Sequence, residues 1–160
     1  MLAAELAVLC AVFFLMCFLG TGSDEKNIRS YSTYPDEVQE LVRKDPALAS
    51  KIKITSPLVI LLSNVALFAV ILFFCGLPIR QKSFPANFIT MTILGQGLNL
   101  FDLLVIDNLW WRNSPRVRFS VAKDSPELYR PMKKHVEAFL RGVLAFLAVA
   151  VVDGLLLCFV

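Results

Sequence analysis

The chain has 160 residues, of which 57% are hydrophobic and 18% are charged, with a net charge of +3 and a mean hydropathy of +0.66. Soluble domains carry about 25% charged residues, and here the charges cluster between long apolar runs. This excludes an ordinary soluble domain and predicts a polytopic membrane protein. The predicted class is all-α, because barrel strands are short segments of alternating polarity and helices satisfy their own backbone in lipid.

Four apolar runs are long enough to cross a hydrocarbon core of roughly 30 Å, which takes about 20 helical residues. The predicted helices cover about residues 2–20, 57–79, 84–111 and 136–160. We expect one integral membrane four-helix bundle, a single transmembrane domain over residues 1–160. No Lys or Arg precedes the first run, which is longer than the core of a typical signal peptide, so we expect it to be retained.

The first loop contains "TYPDEVQELVRKDP", which predicts a short amphipathic helix. Pro35 suits its first turn, Asp36 favours its positive end, and Pro46 ends it. Thr33 or Tyr34 is the expected cap. The apolar stripe of this helix favours a position on the membrane surface or over the bundle mouth, with a solvated loop helix as the alternative.

Lys and Arg are distributed unevenly over the loops. The first and third loops together carry thirteen of them, whereas the tight second loop carries only Arg80 and Lys82. The positive-inside rule then places the first and third loops in the cytoplasm. Both termini would therefore lie outside the cell membrane.

The third run ends in "GQGLNLFDLLVIDNLWW" and is the most polar of the four. At about 100° per residue, Gln96, Asn99 and Asp102 share one face of an α-helix, with Asp107 near Gln96. Hydrogen bonding to neighbouring helices is the favoured interpretation of the two amides. A carboxylate at mid-membrane costs roughly 2.5–3.5 kcal/mol, so Asp102 is favoured as a functional residue.

The fourth helix begins with "KKHVEAFLRG", which offers His135, Glu137 and Arg141 on the same side as the end of the third helix. An Asp102–Arg141 ion pair with Asp107 nearby is the favoured arrangement. A metal or acid–base site is disfavoured, because the spacing H-x-E puts His135 and Glu137 on different helix faces. We expect this single histidine to be exposed at the interface, and we predict neither a metal nor a cofactor.

The third loop is basic and begins with two tryptophans. We expect Trp110 and Trp111 in an aromatic belt at the membrane interface. Arg112, Arg116 and Arg118 would lie among the headgroups, where each gains about 1 kcal/mol at an anionic surface. Binding of a lipid or substrate phosphate by Arg112, Arg116, Arg130 and Lys134 is the alternative, and nucleic-acid binding is not expected.

Asp153 is a further carboxylate, deep in the fourth helix. At 1.5 Å per residue it lies about 18 Å along the helix axis from Arg141. Its candidate neighbours are Glu5, the two cations of the second loop, or the same helix of another subunit.

The motifs "YPDEVQELV", "GQGLNLFDLLVIDNLWWRNSPRVRFS" and "KKHVEAFLRG" carry a resemblance. On these motifs the chain resembles a group of small four-span membrane proteins of Gram-positive anaerobes, which are often labelled permease-like and have no assigned function. The resemblance covers most of the chain from the first loop onward. It implies that the four-span unit is a recurring module, and it implies no catalytic residues.

Three hypotheses about function follow from these features. The first is a small transport or polar-ligand-binding bundle in which Gln96, Asn99 and Asp102 bind a polar solute, a cation or a proton. It is favoured because the polar face extends along several turns of one helix. The expected partners are membrane lipids, together with a second copy of the chain or a partner membrane subunit.

The second hypothesis is an intramembrane enzyme that acts on a lipid or polar-headed substrate at the interface of the third loop. Its acid–base candidates are Asp102, Asp107 and His135, and an anionic group would be held by Arg112, Arg116 and Arg141. The third hypothesis is a non-catalytic membrane subunit or scaffold, with the polar face buried against its own helices or a partner.

Overall fold

The computed structural model describes all residues from 1 to 160, and every regular element in it is a helix. The α-helices are α1 (Leu2–Leu19), α2 (Asp24–Asn27), α3 (Asp36–Lys44), α4 (Pro46–Ala49), α5 (Pro57–Gly76), α6 (Phe84–Phe101) and α7 (Lys133–Leu156). A segment with π-type hydrogen bonding, Asp102–Trp110, follows α6 directly. The predicted all-α class is confirmed.

Four helical stretches are long and apolar enough to cross a membrane. They cover Leu2–Leu19, Pro57–Ile79, Phe84–Asn113 and Pro126–Leu156. The third is 33% buried over its most apolar window, against 6% for each of the first two, so it is the most enclosed of the four. The four predicted apolar helices are therefore present.

The fourth helix begins and ends earlier in the chain than predicted. It starts at Lys133, shortly after Pro131, and its last residue is Leu156. The N–H of Cys158 then donates to the carbonyl of Leu155, three residues back, at 3.0 Å. Such tightened turns commonly satisfy the last carbonyls of a helix.

Large apolar side chains cover much of the outer surface of these helices. On α5, Leu58, Val70 and Phe74 are 56–64% exposed, and on α7 Leu144 is 71% exposed. Contiguous apolar surface on this scale marks a face that contacts lipid or protein.

The contacts within the chain define two units, which we describe separately. The first unit consists of Met1–Val12, Thr55–Phe101 and Phe139–Val160. The second unit consists of Phe13–Ile54 and Asp102–Ala138.

Close approach between helices organises the first unit. A Cβ placed on Gly95 of α6 would lie 2.9 Å from the ring of Phe146 on α7. A Cβ on Gly154 of α7 would lie 3.1 Å from the backbone nitrogen of Phe88 on α6. Small residues let membrane helices pack at such short distances, so α6 and α7 form a tight pair.

The second unit has a core built around aromatic residues of the first and third loops. Tyr34 and Phe119 are fully buried with ring centroids 4.8 Å apart. The Tyr34 hydroxyl donates to the carbonyl of Val117 at 2.9 Å, and the Tyr129 hydroxyl accepts from the Phe119 N–H at 3.0 Å. Burial raises the pKa of the Tyr34 phenol above its ordinary value. These bonds satisfy polar groups that burial would otherwise leave unpaired.

The predicted short helix is present as α3, but its capping differs from the prediction. Pro35 occupies the N-cap position and no side chain caps the helix, so Thr33 does not take this role. Tyr34 packs into the aromatic core instead of capping. Val38 and Val42 are fully buried in the same core, which gives the apolar stripe of α3 its partner.

Polar contacts join the two loops within the second unit. The Asn27 side chain donates to the carbonyl of Arg116 at 3.0 Å, and Asp24 accepts from the N–H of Ser120 at 2.9 Å. Gly22 adopts a φ of 110°, which favours glycine, and its N–H donates to the same Arg116 carbonyl at 3.0 Å. The loops thus fold as an ordered layer.

Candidate functional site

The amides of the third long helix bond to α7 within the first unit. The Gln96 side chain donates to the carbonyl of Val143 at 3.0 Å, and the Asn99 side chain donates to the carbonyl of Phe139 at 3.1 Å. These are the expected hydrogen bonds to a neighbouring helix. Each amide donor is used for packing, as is common among polar residues of membrane helices.

Gly142 on α7 makes the Asn99 contact possible. A Cβ at this position would overlap the side-chain oxygen of Asn99, and the three atoms nearest to it all belong to the Asn99 side chain. The glycine therefore leaves the space in which the Asn99 amide lies. This glycine was not singled out from the sequence.

The π-type segment changes which polar residues share a face. Its hydrogen bonds run from residue i to i+5, so residues five apart lie one turn apart. Asp102 and Asp107 are such a pair, and they interact electrostatically. In an α-helix they would point about 140° apart, so the π-type hydrogen bonding brings Asp102 and Asp107 closer to one face. Segments of this type occur frequently at functional sites.

Asp107 pairs with His135 within the second unit. Its Oδ1 lies 2.9 Å from Nδ1 of the imidazole, and the side chains are 15% and 8% exposed. The prediction that His135 is exposed at the interface was therefore wrong. An acid oriented on one ring nitrogen fixes the tautomer and leaves the other nitrogen as a base.

Aromatic side chains surround the far side of His135. The ring of Trp111 meets the imidazole edge-on, with centroids 4.7 Å apart, and Trp111 also packs against Tyr34 and Tyr129. Nε2 of His135 is buried and has no hydrogen-bond partner among the protein's own groups. Trp111 is itself buried, which differs from the exposed position that an aromatic-belt residue would take.

Asp102 has no countercharge. It takes part in none of the four ion pairs of the protein. Its electrostatic neighbours include Asp107 and the thiol of Cys17, which lies in range of both carboxylates. We call these residues the acid–base cluster (Cys17, Asp102, Asp107, His135): Asp107 contacts His135, and Asp102 and Cys17 interact electrostatically with Asp107.

Two of the arginines considered as anion ligands, Arg112 and Arg116, are engaged by the protein itself. One guanidinium N–H of Arg112 donates to the side-chain oxygen of Asn108 at 2.5 Å. Arg116 donates to the carbonyls of Phe18 and Thr21 at 3.1 and 3.0 Å, and its guanidinium lies 3.9 Å from the Phe18 ring centre. Arg116 thus caps the C-terminal end of α1, where it bonds to the carbonyl of Phe18 and to that of Thr21 just beyond the helix.

The remaining candidates of the fourth helix do not join the cluster. Arg141 and Glu137 are exposed, and neither takes part in an ion pair. The structure does not contain the expected Asp102–Arg141 ion pair. The carboxyl of this region that has a close side-chain partner is Asp107, which contacts the His135 imidazole.

Asp153 belongs to the first unit. It is 1% exposed, it takes part in no ion pair, and its Oδ2 has no hydrogen-bond partner. Neither Arg80 nor Lys82 pairs with it, and the Arg80 guanidinium donates to the carbonyl of Leu77. No group of three or more His, Cys, Asp or Glu side chains is arranged to hold a metal ion.

Sequence reasoning named both members of the Asp107–His135 pair but did not pair them. One available signal was the five-residue spacing of Asp102 and Asp107, which fits a π-type turn. The other was that Trp111 and Tyr129 flank the chain on either side of the third loop and can enclose the start of α7. Comparisons with protein-family models, with curated proteins and with solved structures find no match.

Proposed function

We propose that the chain is an integral membrane protein that spans the bilayer four times, with both termini outside. Its four long apolar helices and their exposed apolar faces support this proposal. The orientation rests on the thirteen Lys and Arg residues of the first and third loops. The aromatic core formed from those loops would then lie on the cytoplasmic side.

We propose further that the protein is an enzyme that acts on a lipid or polar-headed substrate, with the acid–base cluster as its centre. One observation carries this proposal: Asp107 holds Nδ1 of a buried His135 at 2.9 Å, while Nε2 is left without a partner. Buried polar atoms are nearly always paired, so an unpaired imidazole nitrogen calls for a functional explanation.

The chemistry follows from the orientation of the ring. With Nδ1–H donated to Asp107, the lone pair of Nε2 can accept a proton from a substrate hydroxyl or from water. The imidazolium formed in this way stays next to the Asp107 carboxylate, which stabilises its charge. The proton can then return from Nε2 to the leaving group, so the pair serves as base and then as acid.

The tautomer can be tested without knowledge of the substrate, because His135 is the only histidine in the chain. Nitrogen NMR of isotope-labelled histidine, recorded in lipid nanodiscs, should show Nδ1 protonated and Nε2 unprotonated. Asp107→Asn should shift the population toward the other tautomer. An unperturbed tautomer mixture in the wild-type protein would contradict the proposed role of Asp107.

Turnover can be sought in membranes of cells that express the protein. Mass spectrometry of polar lipids should reveal a headgroup species that changes with the wild-type protein and not with His135→Asn or Asp107→Asn. Glu137→Gln, an exposed residue two positions from His135, is the matched control and should behave like the wild type. Identical lipid profiles for the wild type and His135→Asn would contradict an enzyme of this substrate class.

A proton-coupled transporter of a polar solute or cation is the second candidate, and Asp102 favours it. This carboxyl has no countercharge and lies one π-type turn from Asp107. Intramembrane carboxyls with this character serve as ion or proton sites in transporters. Asp102→Asn should abolish proton flux into reconstituted vesicles while leaving the His135 tautomer unchanged. Vesicles that show no protein-dependent flux would exclude this candidate.

A further inference from the structure

Asp153 is the one buried carboxyl that the acid–base cluster does not use. It lies three residues before the end of α7, at 1% exposure, and no cation of the protein reaches it. Its Oδ2 has no hydrogen-bond partner. A carboxyl left in this state in a membrane helix is costly and is a site hypothesis by default.

An open groove lies beside this carboxyl, within the first unit. It encloses about 200 Å³. Apart from Asp153 it is lined by apolar side chains of α5 and α7, among them Val70, Phe73, Phe74, Val152 and Leu156. A cavity of about 150 Å³ can take a benzene ring, so this groove has room for part of an acyl chain or a small ring.

We propose that this groove binds an amphiphile that carries an ammonium head and an apolar tail. The ammonium would pair with the Asp153 carboxylate, and the tail would lie against the apolar walls. The Asp153 carboxyl is buried behind the groove surface, so its unpartnered oxygen has to turn toward the head for the two to pair. Rotation about the Cβ–Cγ bond of Asp is soft enough to allow this. The position of Asp153 near the end of its helix suits an amphiphile, whose head lies near the interface.

The observations favour a cation over other occupants. The walls offer no second polar group to bind a headgroup phosphate, and the single acceptor is acidic. A second copy of α7 would bring another Asp153, and two like charges repel in a low-dielectric site. An ammonium supplies both the charge and the hydrogen-bond donors that the carboxylate lacks.

Dodecylamine is a suitable probe, with dodecan-1-ol as the uncharged control of equal chain length. Native mass spectrometry of the full chain, released from phosphatidylcholine nanodiscs, should show dodecylamine bound and the alcohol not. Asp153→Asn should weaken dodecylamine binding about ten-fold or more. Val70→Trp fills the groove and keeps the carboxyl, so it should weaken binding as well. Asp124→Asn, an exposed acid of the second unit, is the matched control and should bind like the wild type.

The source of the ammonium is read from a parallel arm with phosphatidylethanolamine nanodiscs. Co-purified phosphatidylethanolamine that is lost in Asp153→Asn identifies a lipid headgroup as the occupant. Dodecylamine binding without such lipid identifies a free long-chain amine. Equal binding of dodecylamine and dodecan-1-ol, or equal dodecylamine binding by the wild type and Asp153→Asn, would overturn the proposal.

Discussion

The α-helical and π-type parts of the third long helix carry similar polar residues but treat them differently. In α6, the amides of Gln96 and Asn99 both donate to backbone carbonyls of α7. In the π-type segment, Asp107 has one partner, His135, and Asp102 has no countercharge. The first part is satisfied by its surroundings, whereas the second keeps reactive groups only partly paired.

A membrane helix can in this way combine stability with chemistry. An amide carries its own donors, and any neighbouring helix with an accessible carbonyl can satisfy them. An ionised carboxylate only accepts, so it needs a donor side chain such as an imidazole. Polar residues that the backbone can satisfy therefore hold helices together, and the acids remain available to exchange protons.

The largest effect is expected from breaking the Asp107–His135 pair. His135→Leu leaves a buried carboxylate without its partner and should lower the free energy of unfolding by about 3 kcal/mol. Adding Asp107→Leu should recover much of this loss. Chemical denaturation in mixed micelles measures both variants.

The same measurement sharpens the contrast with the amides. Gln96→Leu should cost only about 0.6 kcal/mol, the average for a hydrogen bond between membrane helices. If the losses from His135→Leu and Asp107→Leu were additive, the two side chains would not be coupled in the folded protein. The π-type segment would then contain no energetically coupled pair.

A second prediction concerns Gly142, which leaves the space for the hydrogen-bonded amide of Asn99. Gly142→Ala should lower the free energy of unfolding by about 2 kcal/mol, because the new methyl group takes the space of the Asn99 amide. Combining it with Asn99→Ala should restore part of the loss, since the overlap is then gone. A Gly142→Ala variant as stable as the wild type would show that the amide is not tightly held.

The helices of this fold could be predicted from the sequence, because the length of an apolar run and the position of a proline are local signals. The hydrogen bonds of Gln96 and Asn99 were also foreseen, since amides in an apolar helix have few other partners. The helical register of Asp107 was not foreseen, because it depends on a switch from α-type to π-type hydrogen bonding that leaves no strong local pattern.

The burial of His135 was missed for another reason. It depends on Trp111, Tyr34 and Tyr129, which come from two loops and meet only in the folded second unit. The excess of Lys and Arg in the third loop and its two adjacent tryptophans suggested a membrane interface instead. Packing between distant segments is the information that periodicity does not carry.

A third prediction concerns Tyr34 of the aromatic core, which packs against Trp111 beside His135. Because burial raises the pKa of Tyr34, the folded state keeps the phenol protonated while the unfolded chain ionises it above about pH 10. The stability of the second unit should therefore be full below that pH and fall as pH rises further. Tyr34→Phe should remove this alkaline loss at a cost of about 1 kcal/mol at neutral pH, since the Val117 carbonyl loses its donor. Near-ultraviolet circular dichroism during alkaline titration reports the result, and an unchanged alkaline midpoint in Tyr34→Phe would contradict it.

The smallest effect is expected at the neighbour of His135 in the chain. Lys134 donates to Asp36 at 2.6 Å, and this bond and the lysine charge lower the pKa of Asp36. The pair therefore contributes stability above the ordinary Asp pKa of about 4, and the contribution is lost as pH falls through the lowered value. Asp36 is exposed, so the effect should be small and should weaken in high salt.

The Glu40–Lys44 pair is the matched control, because it is exposed, joins residues of one helix at 2.7 Å, and lowers the pKa of Glu40 in the same way. Asp36→Asn breaks a bond between α3 and the start of α7, whereas Glu40→Gln breaks a bond within α3 alone. If the pair helps to position His135, Asp36→Asn should shift the His135 tautomer signal and Glu40→Gln should not. Equal tautomer signals in both variants would confine the Asp36–Lys134 pair to a surface role, and the position of the imidazole would then depend on Asp107 and the aromatic core alone.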